Sequence, residues 1–307
     1  MQTILGSNGQ IGQELAKALY AEYTHDIRLV SRRPHQVQAS DELVAADLLQ
    51  YNQTLQAISG SDIVYFTVGL PYALWDTQFK PILKNVIKAT QAVGAKLVYF
   101  DNTYMYPKDD TVQVESTPIE PVGPKSTIRA EMTEMVLAAL ESGALEGVIV
   151  RAPEFYGPGE TQSITNTMLL DPIKGGNRGT IPISQTTLRT LIWTPDASRA
   201  MALIGNTPAA YGQTWHLPTA PSLSYREIVQ KSEQILKHNV KTITVPMWVF
   251  KVGSWFNPQI KNMSELLPRY KYDNVFNSNK FQTAFPDFEI TTVDQGLAQI
   301  LNETHNI

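Results

Sequence analysis

Apolar residues along the chain come in short runs that alternate with stripes at helical spacing. Gln2-Thr3-Ile4-Leu5 reads as a buried strand that runs directly into Gly6-Ser7-Asn8-Gly9-Gln10-Ile11-Gly12. After it, Ile11, Leu15, Ala18 and Leu19 fall on one face of a helix. The same pattern predicts strands at Asp26 to Val30, Leu43 to Ala45, Asp62 to Phe66, Lys96 to Phe100 and Gly147 to Arg151. Helices are predicted over Leu48 to Ile58, about Trp75 to Val93 and about Ile128 to Leu140. Strand and helix in alternation imply an α/β fold, a doubly wound parallel sheet with helices on both faces.

Beyond Arg151 the alternation lapses into Pro- and Gly-rich stretches such as Pro153 to Gly159 and Lys174 to Gly179. The chain is therefore expected to divide into residues 1–151 and a smaller lobe of residues 152–307, with a late return to the sheet. Within the lobe, Thr194-Pro195-Asp196 reads as a helix start, and Ser224 followed by Glu227 reads as a capping box.

Composition removes several classes. The 307 residues are 43% hydrophobic, enough for a large core, and the net charge of −4 offers no basic stripe for nucleic acid. No apolar run approaches the ~18 residues of a membrane span, and a strand at the second residue leaves no room for a cleaved leader. A cytoplasmic protein with no membrane partner is the expectation. There is no cysteine, and His25, His35, His216, His238 and His305 lack ligand spacing, so no metal site is expected.

The glycine segment carries the first chemistry. Gly6, Gly9 and Gly12 let the backbone turn tightly, approach a pyrophosphate and pack the helix on the sheet, while the helix start presents N–H groups to the anion. Ser7, Asn8, Gln10 and Ile11 complete this cradle. At the end of the second strand Ser31, Arg32 and Arg33 stand where an NAD site places an acid for the ribose 2′-hydroxyl. Cationic donors there suit a 2′-phosphate, so NADP(H) is preferred over NAD(H), which remains possible.

The Gly-x-x-Gly-x-x-Gly spacing resembles the extended short-chain dehydrogenase/reductase superfamily, the NAD-dependent epimerase/dehydratase family. The resemblance implies a Rossmann-type sheet and a C-terminal lobe that supplies the substrate pocket. It further implies that Asp47 and Leu48 contact adenine and that Thr67, Val68 and Gly69 line the cofactor; Asp47 reads equally as a helix cap.

Family members use a Tyr-x-x-x-Lys pair on the helix after the fifth strand, where spacing of four puts both side chains on one face. That helix has no tyrosine here. The best overlay sets Lys125 and Arg129 in the two slots, with Arg129 keeping the cationic role and the Lys125 amine able to hold the nicotinamide ribose or move a proton. A literal match at Tyr104 to Lys108 contains Pro107, directly follows the fifth strand, and is read as chance. Asn102 takes the slot of the catalytic hydroxyl, with Thr103 beside it and Tyr106 nearby; an amide polarises a carbonyl but does not relay a proton as a hydroxyl does.

In the lobe, Tyr156 to Gly159 and Arg189 to Asp196 resemble substrate-side motifs of nucleotide-sugar epimerases. The resemblance makes Arg189 the contact for a substrate phosphate, although a surface arginine reads as well. Glu154 falls where those enzymes have Asn touching substrate, and an ionised acid there repels phosphate. Two functions stay open: an NADP(H)-binding oxidoreductase or epimerase/dehydratase-like enzyme transferring hydride at a carbonyl, hydroxyl or sugar carbon, and a silent NADP(H)-binding redox sensor. A homodimer is expected through Phe79, Ile82, Val86 and Ile87 on one helix and Met132, Met135, Val136 and Leu140 on another, unless these simply face the sheet.

Overall fold

The computed structural model describes residues 1–159, 161, 163–257, 260–261 and 264–302. Its strands are β1 (Gln2–Leu5), β2 (Ile27–Ser31), β3 (Glu42–Ala45), β4 (Ile63–Phe66), β5 (Lys96–Asp101), β6 (Gly147–Arg151), β7 (Glu154–Tyr156), β8 (Gly179–Pro182), β9 (Leu188–Arg189), β10 (Leu191–Trp193), β11 (Thr214–His216), β12 (Leu223–Ser224) and β13 (Thr242–Val245). The helices used below are α1 (Gln10–Glu22), α2 (Tyr51–Ile58), α3 (Lys80–Val93), α4 (Pro124–Glu141), α5 (Asp171–Lys174), α6 (Thr194–Gly205), α7 (Tyr225–Leu236) and α8 (Met247–Gly253).

Seven strands form one sheet in the order β11-β6-β5-β4-β1-β2-β3, and every neighbouring pair is parallel. β1 is central, paired with β2 on one side and β4 on the other, so strand order reverses beside it, the kind of switch point at which open α/β sheets generally bind ligands. Burial follows position. β1 and β6 are buried throughout, as strands covered on both faces must be, while edge strand β3 is largely exposed.

The chain divides into two compact units. The first comprises Met1–Met105, Gly123–Ala152 and Pro195–Leu217; the second comprises Tyr106–Val122, Pro153–Thr194 and Pro218–Ile307. The first unit thus takes in β11 and nearly all of α6, which follow the Pro- and Gly-rich stretches in sequence. The second is built on three two-stranded pairs, β7 with β10, β8 with β13 and β9 with β12. Its core gathers Tyr156, Leu169, Ile181, Trp193, Tyr225, Phe250 and Tyr270. α7 begins on the expected capping box, Ser224 Oγ accepting from the Glu227 amide and the Glu227 carboxylate accepting from the Ser224 amide.

Two helix starts matter for the site. α3 is entered through a wide turn over Trp75–Phe79, and α4 begins at Pro124, four residues earlier than the apolar stripe alone indicates. Gly123 sits at φ +97° as the cap and Pro124 supplies a preset first helical residue. Lys125 therefore lies in the first turn of α4. The residues that motivated a dimer are engaged within this unit: Phe79, Ile82, Val86, Ile87, Met132 and Val136 are buried in its core, with Met135 and Leu140 packed against it.

Candidate functional site

The three glycines of the first loop do different work. Gly6 has φ +87°, and a Cβ there would meet the Val68 Cα at 2.7 Å; a Cβ on Gly12 would meet the Gly6 carbonyl oxygen and Ser7 Cα at 2.8 Å. Both positions demand glycine through backbone that cannot yield. A Cβ on Gly9 would meet nothing closer than 3.4 Å, so its openness is toward whatever approaches the loop. Gly9 also caps α1 with no side-chain bond and no acid in the first turn, which leaves the positive end of the helix unopposed. The Ser7 hydroxyl is buried without a hydrogen-bond partner. An open glycine, an uncompensated helix start and an orphaned hydroxyl together fit a bound pyrophosphate.

The other predicted cofactor residues mostly shape this edge. The Asn8 side chain donates to the Arg33 carbonyl at 2.7 Å and accepts from the His35 amide at 3.1 Å, tying the turn after β2 to the glycine loop. Ser31 Oγ accepts from the Arg33 amide, and both Arg32 and Arg33 are exposed. The first acid after β2, Asp41, is turned inward to the Val37 and Gln38 amides. Asp47 accepts from the Leu49 amide at 3.0 Å, a local turn contact ahead of α2, and Leu48 is buried. Thr67 Oγ1 donates to the Leu5 carbonyl at 2.9 Å, which fixes Val68 against Gly6 and leaves Gly69 exposed. Gln10 and Ile11 open α1.

At the end of β5, Asp101 is fully buried. One oxygen receives Arg129 at 2.7 Å, and the other receives Thr133 at 3.0 Å and Arg151 at 3.0 Å. The network pins β5, α4 and β6 together. It also engages Arg129, whose guanidinium further packs on the rings of Phe79 and Tyr99. Asn102 accepts from the Tyr104 amide through its side-chain oxygen and Thr103 is buried beside it, while the Tyr106 hydroxyl donates to the Val114 carbonyl within the second unit.

Sequence reasoning missed two phenols. The Tyr72 and Tyr104 hydroxyls are 3.0 Å apart, and the Lys125 ammonium lies over the Tyr72 ring at 5.1 Å from its centre. Trp75 packs on both rings, at 5.1 Å from Tyr72 and 5.9 Å from Tyr104. Tyr72 comes four residues after Val68, Tyr104 three after Asp101, and Lys125 at the head of α4. The available signal was the tyrosine after β5, set aside because no helix holds it to Lys108.

In the second unit Glu154 and Arg189 form a buried ion pair at 2.8 Å. Arg189 also donates to the Arg269 carbonyl and stacks on Tyr270 with 4.0 Å to the ring centre. Glu154 accepts from the Tyr270 hydroxyl at 2.9 Å and from Thr165 at 3.1 Å, with Arg269 at 3.6 Å. Burial alone would raise the Glu154 carboxyl; Arg189 and Arg269 outweigh it and hold it below the ordinary range. A cavity of about 610 Å³ in this unit, lined by Thr219, Ser222, Asn277 and Gln282 among others, includes none of the predicted site residues.

The parallel sheet, the reversal of strand order and the glycine cradle at its edge define the doubly wound α/β class in which dinucleotides are held at that edge. The chain belongs to the NAD dependent epimerase/dehydratase family, whose model matches residues 3–217. A dTDP-6-deoxy-L-talose 4-dehydrogenase (NAD(P)(+)) of Kitasatospora kifunensis is 27% identical over 169 residues, 51% of this chain and 53% of the relative. The match thus spans about half the length of that enzyme. Among solved structures, MoeE5 in complex with UDP-glucuronic acid and NAD superposes with a TM-score of 0.79 at 19% identity, covering 98% of this chain and 97% of the other. The UDP-glucose 4-epimerase of Thermus thermophilus, in complex with NAD, gives 0.78 at 14% identity and 98% of both chains. No described helix is long and apolar enough to cross a membrane, and no group of three or more His, Cys, Asp and Glu among the described residues is arranged to hold a metal ion. His305 lies outside the described residues.

Proposed function

We propose that the protein is an NADP(H)-dependent oxidoreductase acting at a carbonyl or hydroxyl carbon of a sugar-type small molecule. In this reading the phenols of Tyr72 and Tyr104, with Lys125 beside them, stand in for the tyrosine and lysine that α4 lacks. The observation that carries it is the 3.0 Å contact between the two hydroxyls with an ammonium over one ring.

NADP(H), when bound, supplies or accepts the hydride. The backbone of Gly6, Gly9 and Gly12 and the Ser7 hydroxyl would hold its pyrophosphate, and Arg32 and Arg33 its 2′-phosphate. One phenol gives its proton to the substrate oxygen as negative charge develops there, and the second, hydrogen-bonded to the first, replaces that proton. The positive charge of Lys125 offsets the charge left behind, and Asn102 and Thr103 donate to the same substrate oxygen. Glu154 and Arg189 neutralise one another, so they shape the second unit rather than grip an anion. Family membership and the sugar-nucleotide ligands named for the structural relatives support the substrate class. A homodimer, implied by the resemblance, belongs to this reading and is decided by sedimentation at micromolar concentration.

The absence of Tyr-x-x-x-Lys on α4 favours a second reading, a redox sensor that binds NADP(H) without turnover. Incubating the pure protein with NADPH and a panel of aldehydes, ketones and nucleotide sugars, alongside calorimetry with the nucleotide, separates the two. Turnover supports the enzyme; tight binding with no turnover across the panel supports the sensor.

A further inference from the structure

The residues around α8 break the rule that apolar side chains turn inward. Phe250 is buried in the core of the second unit and anchors the helix. Trp248, Val249, Val252, Trp255 and Phe256 occupy the other side at intervals of one helical face, and all five are exposed. The winding continues past Gly253, because the amides of Trp255 and Phe256 donate to the Val252 and Gly253 carbonyls. Trp255 and Phe256, at 79% and 82% exposure, project from the end of this helix into solvent. The three other tryptophans, Trp75, Trp193 and Trp215, are all below 10%.

Charge along the chain on either side of this helix is segregated. Residues 237–272 carry five Lys against one Glu, their one Arg, Arg269, being buried beside Glu154, in a chain with 25 Lys and Arg against 29 Asp and Glu overall. Lys241, Lys251, Lys261 and Lys271 among them are exposed. The lysines are spaced too widely to form a run, so the sequence shows no basic patch. Exposed Trp and Phe on one helical face, flanked by flexible cations in an otherwise acidic chain, match the interface of a bilayer with anionic headgroups. There the aromatic rings settle at headgroup depth and the lysine stems reach outward to the phosphates. A flat protein partner would leave two nearly bare, protruding side chains without a complementary hollow, whereas lipid deforms around them.

We infer that this face docks the protein on a membrane surface rich in anionic lipid, without spanning it. The inference is independent of the activity proposed above. The test is flotation of the full chain with vesicles of phosphatidylcholine, with and without phosphatidylserine, read also by quenching of tryptophan emission by brominated lipid. The expected result is binding that requires phosphatidylserine, with quenching confined to the exposed tryptophans. Trp255→Ser with Phe256→Ser should abolish it, and Lys251→Glu with Lys261→Glu should weaken it about thirtyfold, each variant keeping its far-ultraviolet dichroism. No flotation with either vesicle overturns the inference, as does binding indifferent to phosphatidylserine or to both pairs of substitutions. Self-association without lipid that Trp255→Ser with Phe256→Ser removes would assign the face to a second copy of the chain and likewise overturn it.

Discussion

The Glu154 carboxylate receives the Arg189 guanidinium at 2.8 Å, and both side chains are buried. Two residues 35 apart in sequence, each chosen by analogy as a substrate contact, are one another's partner. Glu154→Gln leaves the guanidiniums of Arg189 and Arg269 buried with no carboxylate. Breaking such a pair from one side costs about 3–5 kcal/mol, and the midpoint of urea unfolding should fall accordingly.

The same pair makes stability depend on acid. Because the folded carboxyl of Glu154 titrates below its ordinary value of 4.5, its contribution is fully present above that value. It is lost as pH falls through the lower, folded value. Urea midpoints measured across this range should drop for the wild type more steeply than for Glu154→Gln, which has no carboxyl at that position to protonate.

Gly9 and Gly12 should respond oppositely to substitution. Gly9→Asp places a side chain and a negative charge where the pyrophosphate is read to lie, in space the fold leaves open, so the protein should fold and lose nucleotide binding by calorimetry. Gly12→Ala drives a Cβ to 2.8 Å from the Gly6 carbonyl oxygen and should lower stability by about 1–3 kcal/mol before any ligand is added.

Nucleotide choice should rest on the turn after β2. If NADP(H) is bound as proposed, Arg32→Ala should remove a charge-assisted contact to the 2′-phosphate worth about 1.5–3 kcal/mol, or one to two decades in NADPH affinity, and should leave NADH affinity nearly unchanged. Equal dissociation constants for the two nucleotides in the wild type would refute the preference.

Tyr72→Phe and Tyr104→Phe each remove one hydroxyl of the pair and keep the ring against Trp75. If one phenol is the proton donor and the other its relay, the single variants should lower kcat unequally, the donor by about 10²–10⁴ and the relay by less. NADPH affinity should be unchanged in both. Lys125→Met should lower kcat and leave the dissociation constant for NADPH nearly intact; a loss of affinity alone would make Lys125 a ribose anchor only.

Much of the first unit was legible because its signals are local. Strand runs, helical stripes and the glycine spacing each depend on neighbours within a few residues, so β1, β6 and α1 are where the sequence puts them, as is the Ser224 capping box of the second unit. The late β11 hints at the limit. Three residues, Thr214 to His216, are too short for a periodic signal, and their place beside β6 is set by seven-strand packing.

The sequence by itself determined the fold class and the glycine spacing between β1 and α1, because both are patterns of near neighbours; that a Cβ on Gly6 or Gly12 would meet backbone within 2.8 Å is a fact of the fold. The sequence also established that α4 carries no tyrosine. Only the tertiary structure decided which charges are available. Arg129 and Arg151 are directed to Asp101 and Arg189 to Glu154, because a buried ion must find its partner from whatever the fold brings near. The same long-range assembly set Tyr72 beside Tyr104 across 32 residues and turned Trp255 and Phe256 outward. Pairings of that kind depend on the packing of whole elements, which no local pattern encodes.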